Sequence, residues 1–214
     1  MATFTGGTIN TNTSSGNNSY GFFVQTYNEG LVSGNTASFN TQDGFYVNAF
    51  NGGTIRDNTS YENNHDGFVV GANFSGTMLD NTSQSNDFSG FVWSAFDGTM
   101  TGNTAISNNI DGFHGSFIYG GTLSENTANG NGREGFWVGI FDDGTMSGNM
   151  ATGNSRDGFA VGNDFDNGFS VSNTATFISN VSSTNAVTGY DILGTPASGS
   201  GTNTGSGNGS HDSY

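Results

Sequence analysis

Five acidic residues occupy one recurring position in the chain, directly before a Gly-Phe pair. They are Asp43, Asp66, Asp111, Glu134 and Asp157, and we call this set the acidic column. Carboxylates stacked at regular intervals repel one another unless they are screened, paired or bridged by a cation. Because calcium prefers carboxylate and carbonyl oxygens, the column predicts candidate calcium ligands, and calcium is the one cofactor that the sequence suggests. Two alternatives stay open: pairing with the neighbouring His65, Arg133 and Arg156, or simple solvated acids on turns.

The acidic column belongs to a repeat that covers nearly the whole chain. The Gly-Phe pairs begin at glycines spaced 22 or 23 residues apart, namely Gly21, Gly44, Gly67, Gly90, Gly112, Gly135 and Gly158. A fixed period of this length is typical of a solenoid in which each repeat is one coil. Phe and Val two positions apart fit a strand that points both side chains inward. The repeat therefore predicts an all-β solenoid of about eight coils of 23 residues, with three short strands per coil.

Asparagine recurs at two further positions of each coil, five residues apart. The first set is Asn12, Asn35, Asn58, Asn81, Asn103, Asn126, Asn149 and Asn173, and the second is Asn17, Asn40, Asn63, Asn86, Asn108, Asn131 and Asn154. Asn tolerates left-handed turn geometry, and its amide bonds well in stacked coils. We therefore predict two hydrogen-bonded asparagine ladders inside the turns and a stack of phenylalanine rings in the core.

The G-F-x-V and N-T-A-x-x-N units resemble the repeats of the pectate-lyase-like superfamily. The resemblance covers roughly residues 3–194 and implies a right-handed parallel β-helix. It does not imply one function, because lyases, hydrolases, tailspikes, adhesins and structural proteins share this fold.

Catalysis on this fold has recognisable requirements. A polysaccharide lyase is expected to have clustered aspartates, basic residues that take a proton and long insertions around a cleft. Here the basic residues are Arg56, Arg133 and Arg156 with three scattered histidines, and no turn shows an insertion longer than a few residues. Hydrolases need paired acids, which are present. We predict no catalytic residues and a protein that is not an enzyme, with a polysaccharide lyase or glycoside hydrolase as the alternative.

The residue after each Phe is predicted to point outward. These residues form an apolar stripe that consists of Phe23, Tyr46, Val69, Val92, His114, Trp137 and Ala160. Exposed stripes of this kind usually mark a contact surface. Three explanations stay open: strand propensity alone, packing against a neighbouring chain, and stacking against sugar rings.

Composition limits the partners of this 214-residue chain. With 18 acids, three Arg and no Lys, the net charge is −15, so nucleic acid and anionic membranes are repelled. A run of about 18 apolar residues is absent, which predicts no membrane span. The chain has no Cys for disulfides or thiol chemistry. Its Gly/Ser/Thr/Asn/Asp-rich composition is typical of secreted bacterial surface proteins and predicts an extracellular or cell-surface location.

The phase of the repeat predicts how the protein assembles. We divide the chain into a β-solenoid domain, residues 1–194, and a Gly/Ser/Thr/Asn-rich tail, residues 195–214. The repeat opens on a strand with Thr8 and Ile9 and closes on one with Tyr190 and Ile192. Uncapped solenoid ends expose strand edges, so these four residues are predicted as interface residues.

We therefore expect an extracellular structural subunit that self-assembles head-to-tail into a filament, because such a contact does not close on itself. The alternative is a carbohydrate-binding or carbohydrate-active β-helix, with a surface polysaccharide as its partner.

Overall fold

Short parallel strands follow one another through the described parts of the chain, and no helix interrupts them there. The computed structural model describes residues 3–24, 26–48, 50–71, 74–162, 176–192 and 203–213. Neighbouring strands of each sheet come from successive coils and pair in parallel, as Phe45 does with Phe68. The predicted all-β parallel solenoid, with three main sheets and a spacing near 23 residues, is confirmed.

The strands form three long sheets and one short sheet. Sheet 1 contains Phe22–Val24, Phe45–Val47, Phe68–Val70, Phe91–Phe96, Phe113–Tyr119, Phe136–Asp142, Phe159–Val161, Thr188–Ile192 and Ser210–Ser213. Sheet 2 contains Thr8–Asn10, Leu31–Ser33, Thr54–Arg56, Thr77–Leu79, Thr99–Thr101, Thr122–Ser124, Thr145–Ser147 and Thr176–Ile178. Sheet 3 contains Thr13–Ser15, Thr36–Ser38, Thr59–Tyr61, Thr82–Gln84, Thr104–Ile106, Thr127–Asn129, Met150–Thr152, Val181–Ser183 and Thr204–Ser206. The short sheet contains Thr3–Thr5, Thr26–Asn28 and Phe50–Asn51.

The core is a column of stacked aromatic rings supplied by sheet 1. Phe45, Phe68 and Phe91 are at most 2% exposed. The centroids of Phe45 and Phe68 lie 4.7 Å apart, those of Phe68 and Phe91 lie 4.9 Å apart, and the rings are nearly parallel. This separation is the spacing of neighbouring strands, so each coil places one ring directly on the next. The predicted phenylalanine stack is confirmed.

The asparagine ladders are also confirmed, and each rung makes several hydrogen bonds. The backbone N of Asn103 and its Nδ2 donate to Asn126 Oδ1 over 2.9 and 3.0 Å. The same Nδ2 donates to Met78 O over 3.0 Å. A buried amide that did not find such partners would destabilise the fold, so the ladder satisfies both the side chain and the turn backbone.

The coil that begins at Gly158 differs from the sequence-based prediction. The first ladder passes from Asn149 to Asn180 and the second from Asn154 to Asn185, each over 31 residues. The predicted rung Asn173 lies outside the described residues, and Asn180 takes its place. The coil is therefore eight residues longer than the predicted 23, and the extra length lies between the strands that end at 161 and begin at 176.

Strand pairing continues past Gly194, into the segment predicted as a tail. Thr204–Ser206 pairs with Val181–Ser183, and Ser210–Ser213 pairs with Thr188–Ile192. The physical reason is that the asparagine period persists: Asn180 donates to Asn203 Oδ1 and Asn185 to Asn208 Oδ1, both over 23 residues.

The predicted open edge at Tyr190 and Ile192 is therefore corrected, because a strand of the same chain already pairs with it. Tyr190 is 3% exposed, and its hydroxyl donates to Asn180 O over 2.7 Å. At the first strand of sheet 2, Thr8 is exposed while Ile9 packs partly against the core.

Candidate functional site

The acidic column lies in the turn that leads from sheet 3 into sheet 1, and all of its members are buried. Their exposed fractions are 4% for Asp43, 8% for Asp66, 1% for Asp111, 0% for Glu134 and 4% for Asp157. The interpretation of these residues as solvated turn acids is wrong. Buried carboxylates require hydrogen bonds or ion pairs, so the partners of the column decide its role.

Part of the column is a third ladder. The backbone N of Asp66 donates to Asp43 Oδ1 over 3.0 Å, and that of Ser89 donates to Asp66 Oδ1 over 2.7 Å. The backbone N of Glu134 donates to Asp111 Oδ1 over 3.1 Å. Each carboxylate thus accepts from the turn of the next coil, as the asparagine oxygens do, which gives these acids a structural role.

The later half of the column is closed to solvent and paired with arginine. Arg156 Nη1 lies 2.9 Å from Glu134 Oε1, and Arg133 Nε lies 3.4 Å from Glu134 Oε2, although neither contact has good hydrogen-bond geometry. Burial is the main cause that raises the pKa of Glu134 to about 7, and the hydrogen bond and charge of Asp111 act in the same direction. The charges of Arg133 and Arg156 lower this pKa but do not offset the rise. His114 Nδ1 lies 2.7 Å from Asp111 Oδ2, and hydrogen bonds from His114 and Glu134 lower the pKa of Asp111 despite its burial.

The earlier half of the column is open on one side. His65 Nδ1 bonds Asp43 Oδ1 and lies 3.1 Å from Asp66 Oδ2. The imidazole is 46% exposed and covers the two buried carboxylates. Burial raises the pKa of Asp66 to about 6 and also raises the pKa of Asp43, while the contacts with His65 lower both. A surface depression of about 140 Å³ lies beside the group and is lined by Tyr20, Gln42, Asp43 and His65.

The structure thus places the predicted calcium ligands in three different environments. Among the described residues, Asp43, His65 and Asp66 place three ligand atoms within 4.8 Å of one another. Asp111 and Glu134 are sealed and paired, which leaves no approach for an ion. Asp157 accepts hydrogen bonds from Thr188 N and Oγ1 over 2.9 and 2.7 Å. Calcium binding itself stays a prediction.

The apolar stripe runs along the outer face of sheet 1. Phe23 is 55% exposed, and Tyr46, Val69, Val92, His114 and Trp137 are partly exposed, whereas Ala160 is fully buried and does not belong to the surface. The rings of Phe23 and Tyr46 are stacked 5.4 Å apart and nearly parallel. The rings of His114 and Trp137 are stacked 4.4 Å apart.

Tyr20 is a member of this surface that the sequence interpretation missed. Its ring centroid lies 5.2 Å from that of Phe23 and 5.1 Å from that of Tyr46, so three rings form one cluster at the start of the stripe. Tyr20 directly precedes Gly21-Phe22 and therefore takes the place of an acid in the first coil of the column. The position of Tyr20 within the repeat could therefore have indicated its place beside the stripe.

Comparisons with known proteins agree with this geometry. Residues 2–104 match the protein family described as the right handed beta helix region. The A-module of the mannuronan C-5 epimerase AlgE4 from Azotobacter vinelandii has a similar structure, with a TM-score of 0.52 and 20% sequence identity. The match covers 83% of this chain and 42% of that one, so this chain spans less than half of the module. A comparison with curated protein sequences finds no match.

The parallel sheets and their ladders define a parallel β-helix protein, and the family match over residues 2–104 agrees with the right-handed coil that the resemblance of the repeats implies. At this sequence identity, the likeness to the epimerase module concerns the fold alone. No helix in the described part of the chain is long and apolar enough to cross a bilayer.

Proposed function

We propose that the outer face of sheet 1 binds a neutral polysaccharide. The observation that carries the proposal is the cluster of the exposed Phe23 with the partly exposed Tyr20 and Tyr46, whose rings lie 5.1 to 5.4 Å apart at the start of sheet 1. Aromatic side chains offer large apolar contact surfaces, and Tyr adds a polar hydroxyl, which suits a sugar ring with its apolar face and polar edge. The stacked pair of His114 and Trp137 supplies a second platform on the same strip of surface.

The polar residues beside the cluster suit the same ligand. Gln42 and His65 are exposed next to Tyr20, where they offer hydrogen-bond donors and acceptors to sugar hydroxyls. The net charge of −15 argues against an anionic polymer, because long-range repulsion opposes its approach. A neutral chain such as a glucan or xylan fits both features, and such a ligand agrees with the predicted extracellular or cell-surface location.

Binding is proposed rather than catalysis. Asp111 and Glu134 are an acid pair whose pKa values shift in opposite directions, and their side chains are 1% and 0% exposed. A general acid must reach the atom that it protonates, and these two carboxyls do not reach solvent. The name of the AlgE4 module describes a carbohydrate-modifying enzyme, but its activity is not carried over to this chain at 20% identity.

A panel of cellulose, xylan, mixed-linkage glucan and chitin tests the proposal by co-sedimentation and calorimetry. Phe23→Ser is expected to weaken binding about tenfold, since stacking contacts of this kind are each worth on the order of 1 kcal/mol or more. Phe39 is the matched control, because it is 53% exposed and lies outside sheet 1.

No binding to any of these polymers, or equal losses in Phe23→Ser and Phe39→Ser, would contradict the proposal. New reducing ends after incubation would show that the protein is an enzyme and would overturn the binding-only part.

Head-to-tail self-assembly into a filament stays a separate prediction of the repeat phase. Light scattering and negative-stain microscopy across a range of concentrations test it. Particles that stay monomeric at high concentration would refute the filament without bearing on polysaccharide binding.

A further inference from the structure

Asp43, His65 and Asp66 form a compact mixed-ligand group at the edge of sheet 1. Asp43 and Asp66 occupy the same position in consecutive coils, so the strand spacing holds their carboxylates close together. His65 is the residue directly before Asp66. Its Nδ1 lies between the two carboxylates, bonded to Asp43 Oδ1 and 3.1 Å from Asp66 Oδ2. The three ligand atoms lie within 4.8 Å of one another.

One carboxylate oxygen of this group accepts no hydrogen bond, and its residue lines a cavity. Asp43 is 4% exposed, and its Oδ1 accepts from His65 and from the backbone N of Asp66. Within the described residues, Asp43 Oδ2 accepts no hydrogen bond. Asp43 also lines the depression of about 140 Å³ beside Tyr20 and Gln42, which has room for water or another small ligand.

The repeat supplies an internal comparison. Three coils after Asp66, Glu134 takes the equivalent position and lies within 3.4 Å of Arg133 and Arg156, which supply two positive charges beside it. No arginine contacts Asp43 or Asp66 in the described structure, where the only basic contact is His65. Two carboxylates in one small volume with a single imidazole form a site that favours an added positive charge.

We propose that Asp43, His65 and Asp66 bind a divalent first-row transition-metal ion, with Zn²⁺ as the probe. One imidazole nitrogen with two carboxylate oxygens is a common ligand set for such ions, whereas calcium prefers six to eight oxygens. The ion replaces the proton that His65 Nδ1 shares with Asp43, and this proton is then carried on Nε2. Three protein ligands leave one position open toward the depression, where water completes a tetrahedral shell.

The test uses the intact chain after dialysis against EDTA. Zn²⁺ is titrated by calorimetry, and Co²⁺ by visible absorption, which reports nitrogen and oxygen ligation directly. His65→Gln is expected to weaken binding at least tenfold, because even changes outside the ligand shell often weaken metal binding by that factor. Asp43→Asn is expected to do the same.

His114→Gln is the matched control. Its imidazole also contacts a buried acid, Asp111 at 2.7 Å, but it lacks the second open carboxylate. His211→Gln controls for the third histidine of the chain. Both variants are expected to bind Zn²⁺ as the unchanged protein does. Since His65 is 46% exposed, its replacement is expected to leave folding intact, and circular dichroism in EDTA checks this.

Three outcomes would overturn the proposal. They are the absence of Zn²⁺ and Co²⁺ binding up to about 1 mM, binding that His65→Gln leaves unchanged, and calcium binding that is tighter than zinc binding and survives His65→Gln. The last result would assign the ion to an all-oxygen site in the acidic column. Polysaccharide binding is measured with and without EDTA, so failure of either proposal is seen separately.

Discussion

Replacing Asn126 by alanine tests the asparagine ladder, which is the feature that holds successive turns together. Asn126 is fully buried, and its Oδ1 accepts from Asn103 N over 2.9 Å and from Asn103 Nδ2 over 3.0 Å. Its Nδ2 donates to Met100 O over 2.8 Å and to Asn149 Oδ1 over 3.0 Å. Alanine removes these four hydrogen bonds and leaves the backbone N–H of Asn103 buried without its acceptor.

The expected loss of stability is about 4 kcal/mol. A buried donor left without a partner costs about 1 to 3 kcal/mol, and each further hydrogen bond contributes about 0.5 to 1.5 kcal/mol. The control is Asn12→Ala, because Asn12 is exposed on the first described rung and only its Nδ2 hydrogen bonds, to Asn10 O and Asn35 Oδ1, are lost. That variant is expected to lose about 1 kcal/mol.

Urea unfolding followed by circular dichroism measures both losses. Because solenoids can unfold in parts, hydrogen exchange of the Asn103 amide is measured alongside, and it is expected to accelerate in Asn126→Ala. Equal losses in the two variants, or an Asn103 amide that exchanges at the original rate, would show that the ladder does not hold the turns.

The remaining predictions concern the core, the closed acids and the last coil. Phe91→Ala is expected to destabilise the fold by about 3–5 kcal/mol, because it opens a gap between Phe68 and Phe113 in the ring stack; a urea-unfolding loss below about 1 kcal/mol would argue against this packing. The pKa of Glu134 is raised from 4.5 to about 7 in the folded state, so the folded protein holds a proton that the unfolded chain has released. Stability is therefore expected to fall as the pH rises between these values, by up to about 3 kcal/mol. Urea unfolding across that range should show that stability depends less steeply on pH in Glu134→Gln, but not in the exposed Glu125→Gln. An unchanged pH dependence in Glu134→Gln would assign the loss of stability to other groups. Asn203→Ala is expected to accelerate hydrogen exchange of the Asn180 amide, which loses its acceptor; unchanged exchange would mean that the last coil is held by other contacts.

The repeat made most of the fold predictable. Because 23 residues return to the same position, the sequence identifies which residues stack on one another, and the structure confirms this for the rings of Phe68 and Phe91 and for the amides of Asn103 and Asn126. The prediction was wrong where Phe no longer marks the coil. Tyr190 replaces it after 31 residues, and the following coil keeps only Asn203 and Asn208 as landmarks.

The candidate site could be predicted only in part. The sequence placed Asp43 and Asp66 in one column, and it noted His65 as a basic neighbour. It did not show that His65 would lie between both carboxylates, or that Arg156 would contact Glu134 of the preceding coil. These choices depend on which rotamer each long side chain adopts over the turn, and a spacing pattern contains no information about that.

The sequence by itself determined periodicity, and periodicity determines stacking, because the rise of one coil equals the distance between neighbouring strands. The tertiary structure alone decided exposure. Asp43 and Glu134 hold the same position in the repeat, yet Asp43 lies beside a depression under a half-exposed imidazole, whereas Glu134 is enclosed by an acid and two arginines. The physical reason is that exposure depends on the side chains of neighbouring coils that cover a position. Those residues, unlike the ladders, change from one repeat to the next.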